Sequence, residues 1–505
     1  MTAPLHDLYA LQPLDFWLAE ADAAPHRTVS EQLVRCLWFD RRWRPPGLRT
    51  LTGQEVVVHD PGHWNLQAGP DFQRAVIAFD GGPRQRGDVE IHRYASGWTA
   101  HRHHLNPRYN RVILHVCLWH DRRNTEIIRA DGQRIPQIVL MPWLPRPLTA
   151  YQADIVLEEY PAKHAPTPGQ CYEVLRRLDR QTVRQFLSRA GEVRLCHRMT
   201  RWADRAAEAD LAQVMYEAVM RSLGSAGSRL HFQHLARLVP WHDLQACLAD
   251  VPAGQRPVAA EALLLGLAGM IVPGRDAPET TDAEAGRYLE TLLRWWMAFP
   301  SAIRSRAWQV MNWRQTGGRP VNTPERRLAA MARLLAQHQN TNLLDAALAR
   351  CHPWIGRDEV TAARALRRAL EALFDLPGGS YWNRHTRLGS RPLAAQRLIG
   401  MQRSRTMVID AVLPVLLLAA HQRSDTALQA SVLACYRTAP RLPDNALLRY
   451  MARRLLGGDP TLLELVSGAQ QQQGVMQIFY DHCNNNEGDC QGCDFPLRTP
   501  FRDCP

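Results

Sequence analysis

Apolar residues in this chain follow two different periods, short-range alternation up to about residue 142 and a helical spacing from Cys171 to about Gly468. The segment TVSEQLVRCLWF, residues 28–39, places Leu33, Val34, Leu37 and Trp38 at intervals of three and four behind Thr28 or Ser30, which predicts a short amphipathic helix. After the break RPPGLRT come GQEVVVHD, DFQRAVIAF, GDVEIHRY, RVILHVCLWH and, more weakly, QRIPQIVL. Each is short, rich in Val and Ile and bounded by Gly, Pro or Asp, as strands are. An N-terminal arm over 1–27 and an α+β unit with a mixed sheet over 28–142 follow from this pattern.

Prolines recur in MPWLPRP and YPAKHAPTPG, where they remove backbone donors and block regular structure, so residues 143–170 read as a linker with a helical piece around Tyr151 to Glu159. Beyond it, segments such as EVLRRLDRQTVRQFLSRA, RAAEADLAQVMYEAVMRSLG, PERRLAAMARLLAQH and EVTAARALRRALEALF carry apolar stripes, several closing on Gly. No fixed repeat period stands out, so a solenoid is not supported and a large all-α domain over 171–470 is the simplest reading. Residues 471–505 form a small Cys-rich tail.

A chain of 505 residues exceeds one small core and divides into two or three domains. The formal charge of +12 favours an anionic partner, and nucleic acid is the expected one. Lys163 is the single lysine, however, and an Arg skew of that kind reads first as genome composition, which weakens the inference. The N-terminus lacks a basic segment followed by an apolar one, and the apolar runs around Leu263 to Val272 and Val412 to Ala420 fall short of the roughly 18–20 residues of a bilayer span. The expectation is a soluble cytoplasmic protein.

The chemistry concentrates between Asn65 and His92. Asp71 opens one alternating run and Glu90 lies inside the next, with the turn DGGPRQRG between them. In a hairpin the two carboxylates come side by side, and period two puts Glu90 and His92 on one face with Ile91 in the core on the other. Paired carboxylates suit a hard divalent cation, whereas a solvated sheet face with a turn-capping Asp71 is the competing reading. Downstream, GWTAHRHHLNPRYN adds His101, His103 and His104. In an extended segment His101 and His103 would share a face, and in a helix they would diverge. His115, flanked by apolar residues, reads as a core histidine. Arg108 and Arg111, beside Tyr109, are candidate contacts to a nucleic-acid backbone.

Pro70-Asp71 followed by Glu90-Ile91-His92 resembles the PD-(D/E)xK nuclease superfamily, in which an acid at one strand is followed by an acid, any residue and usually a lysine on the next. The resemblance implies that Asp71 and Glu90, with the Ile91 carbonyl, ligate Mg²⁺ or Mn²⁺, and that Glu31 on the preceding helix supplies a further acid. His92 stands in the lysine position. It would orient or deprotonate the attacking water, or else mark a fold that binds nucleic acid without cutting it. GHWNLQAGPDFQRAVI, GDVEIHRYASGWTAHRHHLNPRYNRVILHVCLWHD, YEAVMRSLG, GGRPVNTPERRL and the terminal FYDHC…CQGC together resemble a bacterial family known only as domain of unknown function 2851. That resemblance implies no activity.

Eleven cysteines divide into seven scattered through apolar patterns, where a thiol behaves as a small buried hydrophobe, and four in the tail. Cys483, Cys490, Cys493 and Cys504 have metal-ligand spacing, and Zn²⁺ is the first expectation, with His482 as a substitute fourth ligand. An iron-sulfur cluster is the alternative that the nuclease resemblance brings, but the upstream cysteine of that pattern is not evident in the sequence.

Overall fold

A computed structural model of the chain describes residues 29–44, 47–65, 69–121, 126–155, 160, 168–224, 228–271, 283–307, 323–357, 360–376, 378, 380–390, 392–483, 490, 493 and 495. The N-terminal arm, Lys163 and Cys504 lie outside them. The architecture is α+β, an N-terminal mixed sheet followed by a large helical region.

Helix α1 (Glu31–Phe39) starts where Ser30 accepts the Leu33 N–H. Strands β1 (Leu48–Arg49), β2 (Glu55–Asp60), β3 (His63–Trp64), β4 (Phe72–Phe79), β5 (Gln85–Tyr94), β6 (Val112–Trp119), β7 (Ile127–Ile128), β8 (Arg134–Ile135) and β9 (Gln137–Val139) follow. Seven build one sheet in the order β1-β2-β4-β5-β6-β9, with β3 pairing β4, while β7 and β8 form a separate two-stranded ribbon. Pairing is antiparallel from β1 to β5 and parallel from β5 through β6 to β9. β5 and β6 are buried on both faces along most of their length, as central strands of a covered sheet must be. Val89 and Ile91 of β5 join Val34, Leu37 and Trp38 of α1 in one core.

One irregularity places the site. The β4–β5 register shifts between Phe72 and Ala75, where Arg74 takes a φ of 59° and donates its backbone N–H to Asp88. Ala75 pairs with Gly87, and an unbroken ladder would set Phe72 against Glu90, but the bulge pairs Phe72 with Val89 and so brings Asp71 opposite Glu90. A slip of one residue would have set Asp71 against the core-facing Ile91.

Parallel pairing of β5 and β6 requires a crossover. Residues 95–111 supply it as helix α2 (Gly97–Ala100) and two 3₁₀ turns, His103–Leu105 and Pro107–Tyr109. The Pro-rich stretch read as a linker contributes helix α3 (Leu148–Asp154), and its Leu144, Tyr151, Ile155 and Tyr160 are buried against the sheet's core.

From Gln170 the chain is helical almost throughout its described residues. Its longest helix, Arg180–Ala206, packs across the last, Ala469–Ile478. The contact is backbone to backbone. A Cβ at Gly191 would lie 2.1 Å from the Gln470 carbonyl oxygen, and one at Gly474 would lie 1.9 Å from that of Leu187. Gln470 to Gln473 are all buried in this seam. Gln470 donates to the Ser188 carbonyl and the Glu192 carboxylate, Gln471 to the Ser188 hydroxyl, and Gln473 accepts from Arg194.

The helix Met401–Gln422 runs through a π turn at Val408–Val412 and is long and apolar enough to cross a membrane, which the separate apolar runs did not suggest. The extra residue of the π turn accommodates Pro414, which has no N–H to donate. With 78% of its apolar window buried, this is the central helix of the all-α core.

Candidate metal site

Asp71, Glu90 and His92 converge beneath the crossover. They are 0%, 4% and 1% exposed, which excludes the solvated sheet face. The Asp71 N–H donates to Glu90 Oε2 at 2.9 Å, and Asp71 Oδ2 accepts the Ile91 N–H at 3.1 Å. The two carboxylates are therefore locked to each other's backbone across the hairpin. Arg35, which the sequence did not single out, places its Nε 2.9 Å from Asp71 Oδ1 and its Nη2 2.6 Å from Glu31 Oε1. Glu31 thus reaches the acid cluster through a shared guanidinium. The i, i+4 spacing of Glu31 and Arg35 on α1 was the signal for this pairing.

The crossover brings two imidazoles down onto His92 of β5. His101 closes α2 and His103 opens a 3₁₀ turn, with Arg102 between them at a φ of 58°. The segment is not extended, contrary to the premise for a shared face, yet the left-handed residue turns both rings onto His92. One nitrogen from each of His92, His101 and His103 lies within 4.8 Å of the others. His103 Nε2 is 3.1 Å from Glu90 Oε1, and His92 Nε2 is 3.8 Å from the same oxygen. Tyr109 stacks on the His103 ring with centroids 3.9 Å apart, which holds that imidazole in plane. His101 is exposed and gives the cluster a side open to solvent, as a catalytic metal needs.

Behind His92 runs a polar chain. His92 Nδ1 is 2.8 Å from His115 Nε2, and His115 Nδ1 is 2.8 Å from Gln137 Nε2. His115 is buried, as a core histidine, but it also orients His92, a role that the apolar flanks in the sequence concealed. Gln137, on β9, was not foreseen. Two proton arrangements satisfy the chain. If the Gln137 amide donates, His92 carries its proton on Nε2. If the amide is turned so that its oxygen accepts, the protons move to the two Nδ1 atoms and His92 Nε2 is left as a lone pair for a metal. Burial, followed by the neighbouring His115, His103 and His101, lowers the His92 pKa well below its ordinary value, and burial takes His115 down to about 3. Burial thus favours the neutral form of both rings, the state that a ligating imidazole requires.

Gly97 is needed for this closure. A Cβ there would lie 2.6 Å from His92 Cγ and Cδ2. Gly97→Ala is expected to displace the ring, lowering stability by about 1–3 kcal/mol and weakening whatever metal affinity the imidazole cluster has. Thermal melts paired with metal titration would show it, and an unchanged variant would mean that the crossover yields without moving His92.

Arg108 is exposed, and Arg111, with a side chain 71% exposed, makes only a 3.9 Å approach to Asp88. Both lie on the crossover but outside the buried cluster. His104 is half-buried and is not among the three clustered rings.

The fold and site define an α+β protein whose mixed sheet carries a buried acid pair under an imidazole cluster. The chain belongs to the family described as Protein of unknown function (DUF2851), which matches residues 31–444. No curated protein and no solved structure matches it.

Proposed function

We propose that this protein is a metal-dependent hydrolase of nucleic-acid phosphodiesters, with a transition-metal ion held by His92, His101 and His103 beside Glu90. The convergence of three neutral-capable imidazoles within 4.8 Å carries the proposal. Imidazole nitrogens suit Zn²⁺ or Mn²⁺ better than Mg²⁺. Both Asp71 oxygens are already engaged by Arg35 and the Ile91 N–H, so the donor set of the acid pair alone fits a hard cation less well. The bound ion would lower the pKa of a water and polarise a phosphoryl oxygen. Glu90 Oε1, beside His103 and His92, is placed to accept a proton from that water, while His115 and Gln137 fix the orientation of His92. The phosphodiester assignment rests on the acid and Glu-x-His arrangement across one hairpin, its resemblance to PD-(D/E)xK nucleases, and the charge of +12. Arg108 and Arg111 on the exposed crossover would meet the backbone of the substrate.

The Arg35–Asp71 ion pair favours a second reading, a nucleic-acid-binding scaffold in which the Asp71 charge is already taken up by Arg35. The two are separated by one experiment. Metal-depleted protein is supplied in turn with Mg²⁺, Mn²⁺ and Zn²⁺ and assayed on single- and double-stranded DNA and RNA. The hydrolase reading expects cleavage restored by Mn²⁺ or Zn²⁺ and lost in His103→Ala. Binding that falls steeply with salt, without cleavage under any metal, would establish the scaffold instead.

A further inference from the structure

Cys171 is one of the seven cysteines that the sequence scatters singly, more than three hundred residues before the tail. The fold brings it to the tail. Helix α4 (Gln170–Leu175) begins against the tail's CxxC turn, in which the Cys493 N–H donates to the Cys490 carbonyl. A Cβ placed on Gly169 would lie 3.2 Å from Cys171 Sγ and also 3.2 Å from Cys490 Sγ, so the two sulfurs flank one point of backbone. The Gln170 N–H points at Cys490 Sγ at 3.4 Å, the kind of backbone donor that stabilises a metal-bound thiolate. Cys483 ends the π turn after the last helix and is buried with Cys171 and Phe495 in one small core, against which Cys493 packs.

We propose that Cys171, Cys483, Cys490 and Cys493 form a four-thiolate site for a soft metal centre, and that this centre staples the C-terminal tail to the start of the helical region. Cys171 thereby takes the place expected for Cys504. Cys171 is the thiol from outside the tail that meets this group, lying beside Cys490 at Gly169 and sharing one core with Cys483, against which Cys493 packs. Arg454, 3% exposed, lies at the same place, its carbonyl oxygen accepting from Cys171 Sγ at 3.6 Å. A buried cation at this position complements the negative charge of a tetrathiolate centre. Beyond Cys483 the described residues of the tail have few other anchors. Phe495 meets Phe186 and His482 edge-on, and that is too little apolar burial to hold a segment of this length alone.

Thiolate ligation is shared by Zn²⁺ and by an iron-sulfur cluster. The test is to purify the full chain anaerobically, count zinc, iron and acid-labile sulfide, and record visible absorbance for the parent, Cys171→Ser, Cys490→Ser and Cys504→Ser. The parent and Cys504→Ser are expected to hold one centre per chain, while Cys171→Ser and Cys490→Ser lose about tenfold or more of it. Broad visible absorbance with iron and sulfide identifies a cluster, and colourless protein with one zinc identifies a single ion. Because Cys171→Ser could disturb the core, far-UV circular dichroism and Co²⁺ substitution accompany it. Charge-transfer intensity in the parent should correspond to four thiolates and fall in proportion in any variant that retains cobalt. Metal retained by Cys171→Ser but lost from Cys504→Ser would overturn the proposal. So would a parent free of metal, or one with these cysteines in disulfides.

Discussion

Glu90→Ala is expected to lower metal-dependent cleavage by a factor of about 10²–10⁴, the range associated with loss of a general base. The two oxygens of Glu90 serve different neighbours, Oε2 accepting the Asp71 N–H at 2.9 Å and Oε1 facing His103 at 3.1 Å. Truncation leaves a buried donor unsatisfied and removes the negative charge beside the imidazoles, so stability should also fall by about 1–3 kcal/mol. Glu90→Gln separates the two effects. Its amide oxygen can still accept the Asp71 N–H, so the fold should survive while proton acceptance is lost. The measurements are single-turnover cleavage, metal affinity and urea unfolding. Cleavage by Glu90→Gln at the parental rate would remove Glu90 from the proposed chemistry.

Gly474→Val is expected to be among the most damaging single changes in the helical region. Its Cβ would sit 1.9 Å from the Leu187 carbonyl oxygen and 3.0 Å from the Gly191 nitrogen, both backbone atoms that cannot rotate away. The helices Arg180–Ala206 and Ala469–Ile478 would have to separate, breaking the bonds from Gln470 and Gln471 to Ser188 and from Arg194 to Gln473. A loss of about 3 kcal/mol or more should follow, read as a shift in the urea midpoint. Gly286→Ala is the control. It lies within the helix Ala283–Ala298 with nothing within 4 Å of the added methyl, and should gain about 0.5–1 kcal/mol from helix propensity. Equal effects at the two positions would mean that the tight crossing does not exist in solution.

The local elements were legible because their signals are local. Ser30 before the stripe Leu33, Val34, Leu37 and Trp38 reads as a capped helix whatever it packs against, and the strand candidates from Glu55 to Val139 are short runs rich in Val and Ile bounded by Gly, Pro or Asp. The acids Asp71 and Glu90 and the rings His92, His101 and His103 could be picked out by type. Arg35 showed only its i, i+4 spacing to Glu31, and Gln137 could not be picked out, because a glutamine on a strand end is ordinary until a partner is known. Nor could Cys171, since sequence spacing identifies ligands only when they are near neighbours in the chain.

By itself, then, the sequence determined the order of strand and helix, the α+β class and the identity of most of the chemical groups, since propensity, capping and burial period act over a few residues. Tertiary structure decided their partners. The bulge at Arg74 set Asp71 against Glu90, the left-handed Arg102 turned two imidazoles onto His92, and the docking of α4 carried Cys171 to Cys490. Each depends on a one-residue bulge, a single backbone angle or a contact across hundreds of residues, and none of these is encoded in propensity, capping or burial period over a few residues.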